Sequence, residues 1–513
     1  MIEIPAGRGG INRGKNLDNV PITDLSYLDG LTCERDLWEK ETGAAKINSV
    51  ALTGSAAVKG GCEFTSAAGV TELIAYIDTG SAASVVTVGS GGVVKTIVSG
   101  LTTGGFPCFA EGWDGTTKAL YFVNGLNTMQ VYTGGATSSN IPSGSSDWSG
   151  SNHPSVVVAH QDRMVAFGNA NFPHQLYLSV PGEHGNFTGV TSAIQRVYPG
   201  TGQKLVGAVS WRNYLYMWKY PRGIYILDDS DPNVANWRVS EVTKSVGGGG
   251  LGCVLPIEDD ILFLGADAFF YALSQVRSQG QINVPPLSPL ETAEFIREEL
   301  NVSQLSIVQS VWYGHKRKAM FVVPATGATT NNRRVDIDFH EAGQPRFHFS
   351  RRDTCPSIWL RRATATDVQK PVFGDSSGFV WAMEQSTRAK DGAGFRGQYE
   401  TPAKPLYPNG SRRGNLKELE VVMDPQGNWD LTVEVHRDGE LSQTLAFSMQ
   451  SPGAAASSIS LDSDVIAGNT VANKRERLFG DARYIKLIGR NNTLNENFAI
   501  ASHIVKFSPG NNR

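Results

Sequence analysis

The chain has only five cysteines in 513 residues. Cys33, Cys62, Cys108, Cys253 and Cys355 stand far apart and form no C-x-x-C pair. That excludes a local zinc motif and a dense disulfide framework, and leaves buried free thiols as the expectation. No apolar run approaches the ~18 residues of a membrane-spanning helix, so no membrane insertion is expected. The first residues, Met1 to Gly7, lack the apolar core of a secretory leader, which points to synthesis in a cytoplasm without an export signal. Charge of either sign is not in excess: 46 Lys and Arg face 49 Asp and Glu, a net charge of −3. A dedicated nucleic-acid binder carries a strongly basic balance that is missing here.

Recognisable catalytic motifs are also missing. There is no H-E-x-x-H pair, and the G-x-S-x-G letters at Gly374 to Gly378 fall in a stretch that reads as a blade turn, not a nucleophile elbow. Gly247 to Gly250 is a run of four glycines, but no G-K-[ST] follows and no helix is predicted there, so it is not a phosphate cradle. The run reads as a flexible inter-blade loop, as does Ser143 to Gly150. No catalytic, cofactor-binding or metal-ligating residue is assigned, no cofactor is expected, and the chain is not expected to be an enzyme.

What is abundant is glycine, 56 residues, well above the usual ~7%. It accompanies a recurring hairpin: an apolar, aromatic-rich strand, a Gly/Asp/Asn turn, and a second apolar strand. Clear copies are Leu120–Val123 before Asn124-Gly125, Tyr214–Trp218 before Pro221 to Tyr225, Ile261–Leu264 before Gly265 to Asp267, and Pro371–Phe373 before Gly374-Asp375. Weaker copies lie near Leu73, Val165 and Met320. A strand-only period of roughly 40–50 residues marks a β-propeller, whose blades must stack because one small sheet cannot bury both faces. The fold class is therefore all-β, a propeller of six or seven irregular blades over 46–395. An extended N-terminal arm (1–45) precedes it, to complete a blade or to reach a neighbouring subunit.

A short helical insertion is predicted near 288–301. Ser288-Pro289-Leu290-Glu291 has the form of an N-cap, a Pro at the first helical position and a capping-box Glu. Leu290, Ala293, Ile296 and Leu300 would share one face, packed on the propeller rim or on a partner. Over 396–513, alternating strands and the hairpin turn Asp438-Gly439 predict a separate β-sandwich-like domain.

Several groups of polar residues invite a chemical reading. Asp336, Asp338 and His340 alternate along one strand face, a donor set suited to a divalent cation, but an exposed strand face opposite buried Val335, Ile337 and Phe339 is the favoured reading. Asp228 to Asn233 has the composition of a cation loop but lacks the glycine and distal glutamate of an EF-hand, and reads as a turn. Basic clusters at His315–Lys318, Arg333-Arg334, Arg346–Arg352, Arg361-Arg362, Arg412-Arg413 and Lys474–Arg477 could meet phosphate, but nearby carboxylates favour surface or subunit ion pairs. Trp211, Tyr214, Tyr216, Trp218 and Tyr220 read as blade core.

Some of these blades resemble a known family. Met164–Gly168 followed by Gln175–Glu183 and Asn186-Phe187 is similar to the "y-W/Y-S-dpgdp-xx-F" hairpin of bacteriophage tail proteins. Val206–Leu215 with Arg222–Leu227, and Gly250–Pro256 with Asp259–Gly265, resemble their next two blades. The likeness covers roughly 150–385 and is to the tail nozzle, also called hub or stabilisation protein, of short-tailed phages. It implies a structural virion protein in the phage tail, assembled in the host cytoplasm as a homo-oligomer, a hexameric ring. That ring would close the DNA channel, dock to head-to-tail adaptor proteins and to tail fibres or spikes, and gate ejection of genomic DNA passing through its lumen without sequence-specific binding. A receptor- or carbohydrate-binding propeller at the tail tip is the alternative.

Overall fold

A computed structural model describes residues 1–5, 10–12, 20–21, 24–34, 37–231, 233–278, 284–339, 345–351, 354–362, 367–450 and 472–510. Seven small antiparallel sheets follow one another from Ala57 to Gln385. The first strands of successive sheets lie side by side, and that of the seventh (Ser357–Arg361) meets that of the first (Ala57–Thr65), so the ring is closed. The fold is a seven-bladed propeller, at the upper of the two expected counts.

The recurrent turn chemistry explains the recurrent hairpin. Between the second and third strands of five blades, an Asp or Asn side chain accepts the N–H two residues on. The pairs are Asp78 with Gly80 at 2.8 Å, Asn124 with Leu126 at 3.0 Å, Asn169 with Asn171 at 2.9 Å, Asp267 with Phe269 at 3.2 Å and Asp375 with Ser377 at 2.8 Å. Each such bond offers the backbone a local partner where the ladder stops.

The weakly patterned Ala/Gly/Ser/Thr-rich stretch near the start is a complete four-stranded blade, Ala57–Thr65, Thr71–Asp78, Ala83–Gly89 and Gly92–Leu101. Its small residues have a packing cause. A Cβ on Gly61 would fall 2.6 Å from the Trp359 ring of the seventh blade. Gly61→Leu should therefore destabilise the closing contact by about 1–3 kcal/mol. A denaturant midpoint equal to that of the parent chain would show that the contact yields freely.

The fifth blade has three strands, Val254–Pro256, Ile261–Leu264 and Phe270–Ala272, and continues directly into the helix Leu273–Ser278. A second helix, Leu290–Glu299, starts later than its capping box implies. Pro289 is the N-cap with extended backbone and no side-chain cap bond. Ala293, Ile296 and Leu300 are buried as expected, but Leu290 is 54% exposed, and Thr292 and Phe295 take the inward positions. Phe295 packs edge-on against Phe349 of the sixth blade, and the Thr292 hydroxyl donates to the Ile11 carbonyl at 2.9 Å.

The described residues among the first 46 do not form a free-standing arm. Gly43–Lys46 pairs antiparallel with Val380–Gln385 and supplies the outer strand of the seventh blade. Gly10–Ile11 extends the sixth blade in parallel beside Phe347. The other N-terminal strands enter the sandwich. Ile2–Pro5 and Leu37–Lys40 pair with Ala499–Pro509, and Tyr27–Asp29 pairs with Gly397–Glu400. The sandwich is thus built from both ends of the chain. At its predicted hairpin, Asp438 and Gly439 both have positive φ, 49° and 95°, as a two-residue turn between Asp430–Arg437 and Glu440–Ser448 needs. One apolar cluster runs from Phe270, Phe321 and Phe347 of the propeller to Leu419, Val433 and Leu487 of the sandwich. A core continuous across both parts explains why no polar linker separates them.

Candidate functional site

Three regions concentrate polar chemistry. The first is a central cavity of about 600 Å³ at the propeller axis, reached by the second-to-third-strand turns of two blades and by the inter-blade loops. Its amides are already engaged. Asn124 donates to the Tyr76 hydroxyl at 3.2 Å and to the Asn127 side-chain oxygen at 2.9 Å, and Gln309 donates to the Lys59 carbonyl at 2.6 Å while accepting from the Ile358 N–H at 3.2 Å. The Gln309 bonds tie the sixth, seventh and first blades together. The glycine run 247–250 leads to this zone, which Gly250 lines, and is buried rather than loose. A Cβ on Gly247 would sit 2.3 Å from the Lys219 carbonyl, and one on Gly250 2.7 Å from Ser306 Cα. Glycine is present there because two backbones touch.

The second region is the face of the sixth blade that looks toward the N-terminal strands. Arg334, Asp336 and Asp338 alternate on it, flanked by Lys318, Arg346 and His348 on the neighbouring strands. The expectation of an exposed face fails. All six are less than one-tenth exposed, because the N-terminal segment covers them. Asp336 binds Arg334 through two hydrogen bonds, at 2.8 and 2.9 Å, and the same guanidinium reaches Glu41 at 2.9 Å. Burial raises the Asp336 carboxyl above its ordinary range, against the pull of Arg334. No group of three metal-ligating side chains converges among the described residues, and His340 lies outside them.

The third region joins the third and fourth blades. His160 closes the strand Val156–His160, Ser210 lies in Lys204–Trp211, and Asp229 follows Ile224–Asp228. The Ser210 hydroxyl is 2.8 Å from His160 Nδ1, and Asp229 Oδ2 is 2.9 Å from His160 Nε2. His160 is 2% exposed, whereas Ser210 is open to solvent. Burial lowers the His160 pKa, opposed by the adjacent carboxylate. These residues are 50 and 69 positions from His160, and no local motif marks them.

The remaining candidates resolve into structure. In the loop after Ile224–Asp228, Asp228 accepts from the Ser230 hydroxyl at 2.7 Å and Asp231 from the Asn233 N–H at 2.7 Å, so the loop is a self-bonded turn. Most of the basic clusters are neutralised. Lys316 meets Glu384 at 2.8 Å, Arg351 meets Glu299 at 3.0 Å, Arg413 meets Asp438 and Asp481 at 3.2 and 3.1 Å, and Arg475 meets Glu420 at 3.4 Å. Tyr216 and Trp218 are blade core, but Tyr214 and Tyr220, at the strand ends, are 47% and 39% exposed. All five cysteines are free. Burial pushes the Cys108 thiol up to about 11 and that of Cys253 to about 12, so neither is a reactive thiolate at neutral pH. Lys219 is fully buried and donates to the Tyr198 carbonyl at 2.9 Å and the Thr201 hydroxyl at 3.2 Å. Burial brings its amine down to about 8, and both contacts pin the 3-10 turn at Pro199–Thr201.

No family model matches the chain, and no curated protein matches it. Among solved structures, an exo-β-1,3-galactanase from Phanerochaete chrysosporium is similar at 9% identity, over 91% of this chain and all of that one, with a TM-score of 0.27. YCF48 from Cyanidioschyzon merolae is similar at 8% identity, over 66% of this chain and 98% of that one, with a TM-score of 0.40. YCF48 bound to D1 peptide gives 9% identity, 70% and 100% coverage and a TM-score of 0.38.

Proposed function

We propose that the chain is a structural subunit of a bacteriophage tail nozzle, a homo-oligomeric ring around the DNA exit channel. The observation that carries this reading is the sequence likeness over 150–385, which falls on the third to seventh blades in order. Two physical features support it. The first is rigidity. The ring of blades is closed by an N-terminal strand, and its core is continuous with the sandwich, so it would transmit load without opening. The second is charge. With its basic clusters largely paired and a net charge of −3, the surface offers DNA little to grip. In this reading, blades form wall and loops meet adaptor and fibres. A ring of identical subunits requires a head-to-tail interface that closes on itself.

The test is native mass spectrometry of the purified chain, together with protein mass spectrometry of purified particles. A closed oligomer, expected to be a hexamer, and stoichiometric presence in virions are the predicted results. A chain that stays monomeric and is absent from particles would rule the reading out. A carbohydrate-binding propeller at the tail tip is the second reading, and the central cavity of about 600 Å³ is the place where a glycan would fit. A glycan array separates the two, because a nozzle subunit should be silent on it.

A further inference from the structure

We propose that Ser210, His160 and Asp229 form a serine acyl-transfer site on the propeller surface, acting on short carboxylic esters. The bonding pattern has one consistent proton arrangement. A carboxylate only accepts, so His160 Nε2 carries the hydrogen that Asp229 receives at 2.9 Å. Nδ1 then presents its lone pair to Ser210 Oγ at 2.8 Å, and the serine hydroxyl is the donor. This is the relation of nucleophile, base and orienting acid that activates a serine, recognised by geometry and not by chain order. The ring nitrogens are exchanged relative to the usual arrangement, with Nδ1 facing the nucleophile. Either nitrogen serves as base once the other is held by a carboxylate.

Burial separates the roles. His160 and the Asp229 carboxyl are 2% and 5% exposed, which fixes the imidazole in one orientation, while Ser210 remains exposed to an incoming substrate. A bond made only to join two blades has no need of an exposed hydroxyl. The site is open and no acyl pocket adjoins Ser210 among the described residues, so a short ester that approaches from solvent is the substrate it can take.

In the reaction, Ser210 Oγ bonds to the ester carbonyl carbon as its proton passes to His160 Nδ1. The carbon–alkoxide bond breaks, and the proton goes to the leaving alkoxide, releasing the alcohol. Water then gives a proton to His160 and its oxygen to the acyl carbon, and Ser210 Oγ leaves with that proton. The sum is ester plus water giving acid plus alcohol, with no other reactant required.

The test uses the full chain with a fluorophosphonate probe and with p-nitrophenyl acetate. Probe attached to Ser210, mapped by peptide mass spectrometry, is expected. Ser210→Ala should lose the label and lower ester hydrolysis at least tenfold, with only a small fall in the thermal midpoint from the unpaired His160 Nδ1. Asp229→Asn, checked for folding by the same melt, should lower labelling while leaving Ser210 in place. An unlabelled Ser210, or hydrolysis that persists at the parental rate in Ser210→Ala, would overturn the proposal and leave the cluster as a bond between blades.

Discussion

Replacing Arg334 by methionine is expected to destabilise the protein by about 3–5 kcal/mol, the cost of breaking a buried ion pair from one side. The guanidinium is 3% exposed and serves two carboxylates, Asp336 on its own strand and Glu41 on the N-terminal segment. Removing it leaves both acids buried without that cation. Glu41 lies between Leu37–Lys40, which joins the sandwich, and Gly43–Lys46, which closes the propeller, so the loss would fall on the junction that ties the two together. The triple change of Arg334 to Met, Asp336 to Val and Glu41 to Leu should recover much of the loss, since an apolar replacement removes the desolvation cost along with the attraction. Equal denaturant midpoints for the single variant and the parent would show that the carboxylates find other partners.

Acidification from pH 7 to pH 4 is expected to weaken the fold by roughly 3 kcal/mol through each of two buried histidines. Burial brings the pKa of His348 and of His503 down from 6.5 to about 4. Their folded pKa values lie below the unfolded one, so between about 4 and 6.5 the unfolded chain binds protons that the native chain refuses. Stability is complete above pH 6.5 and falls as the pH drops toward 4. Around His348 stand Asp338, which favours its protonation, and Lys318, Arg346 and Arg334, which oppose it. Neither ring nitrogen of His348 has a hydrogen-bond partner among the described residues, so His348→Leu should be nearly neutral at pH 7 and flatten the acid limb. His503 accepts or donates one bond, with the Tyr399 hydroxyl at 2.7 Å. Chemical denaturation at stepped pH measures the slope. If the His348→Leu chain keeps the parental slope between pH 6.5 and 4, the protons are taken up elsewhere.

The blades were legible because their signal is local. Apolar runs such as Leu215 to Trp218 and the Asp or Asn that opens five of the seven turns are properties of short segments, and the fold repeats them. The Asp438-Gly439 hairpin was legible for the same reason, since only a few residue types take two consecutive positive φ values cheaply. The first blade was harder to read because Gly60 and Gly61 are set by a neighbouring blade, not by their own strand. The glycine run at 247–250 was misread as loose for a related reason: composition reports chain freedom, but not that Lys219 and Ser306 press on that backbone. The exposed face expected for Asp336 and Asp338 failed because the segment that covers it lies some 300 residues earlier in the chain.

The sequence by itself determined the all-β class, the propeller repeat and the turn positions, because each depends on interactions within about ten residues. Tertiary structure decided where the N-terminal strands pair, which charges are buried, and that His160, Ser210 and Asp229 meet. Those outcomes depend on pairings across tens to hundreds of residues, and closure of the ring and the shared core fix them only once all seven blades are in place.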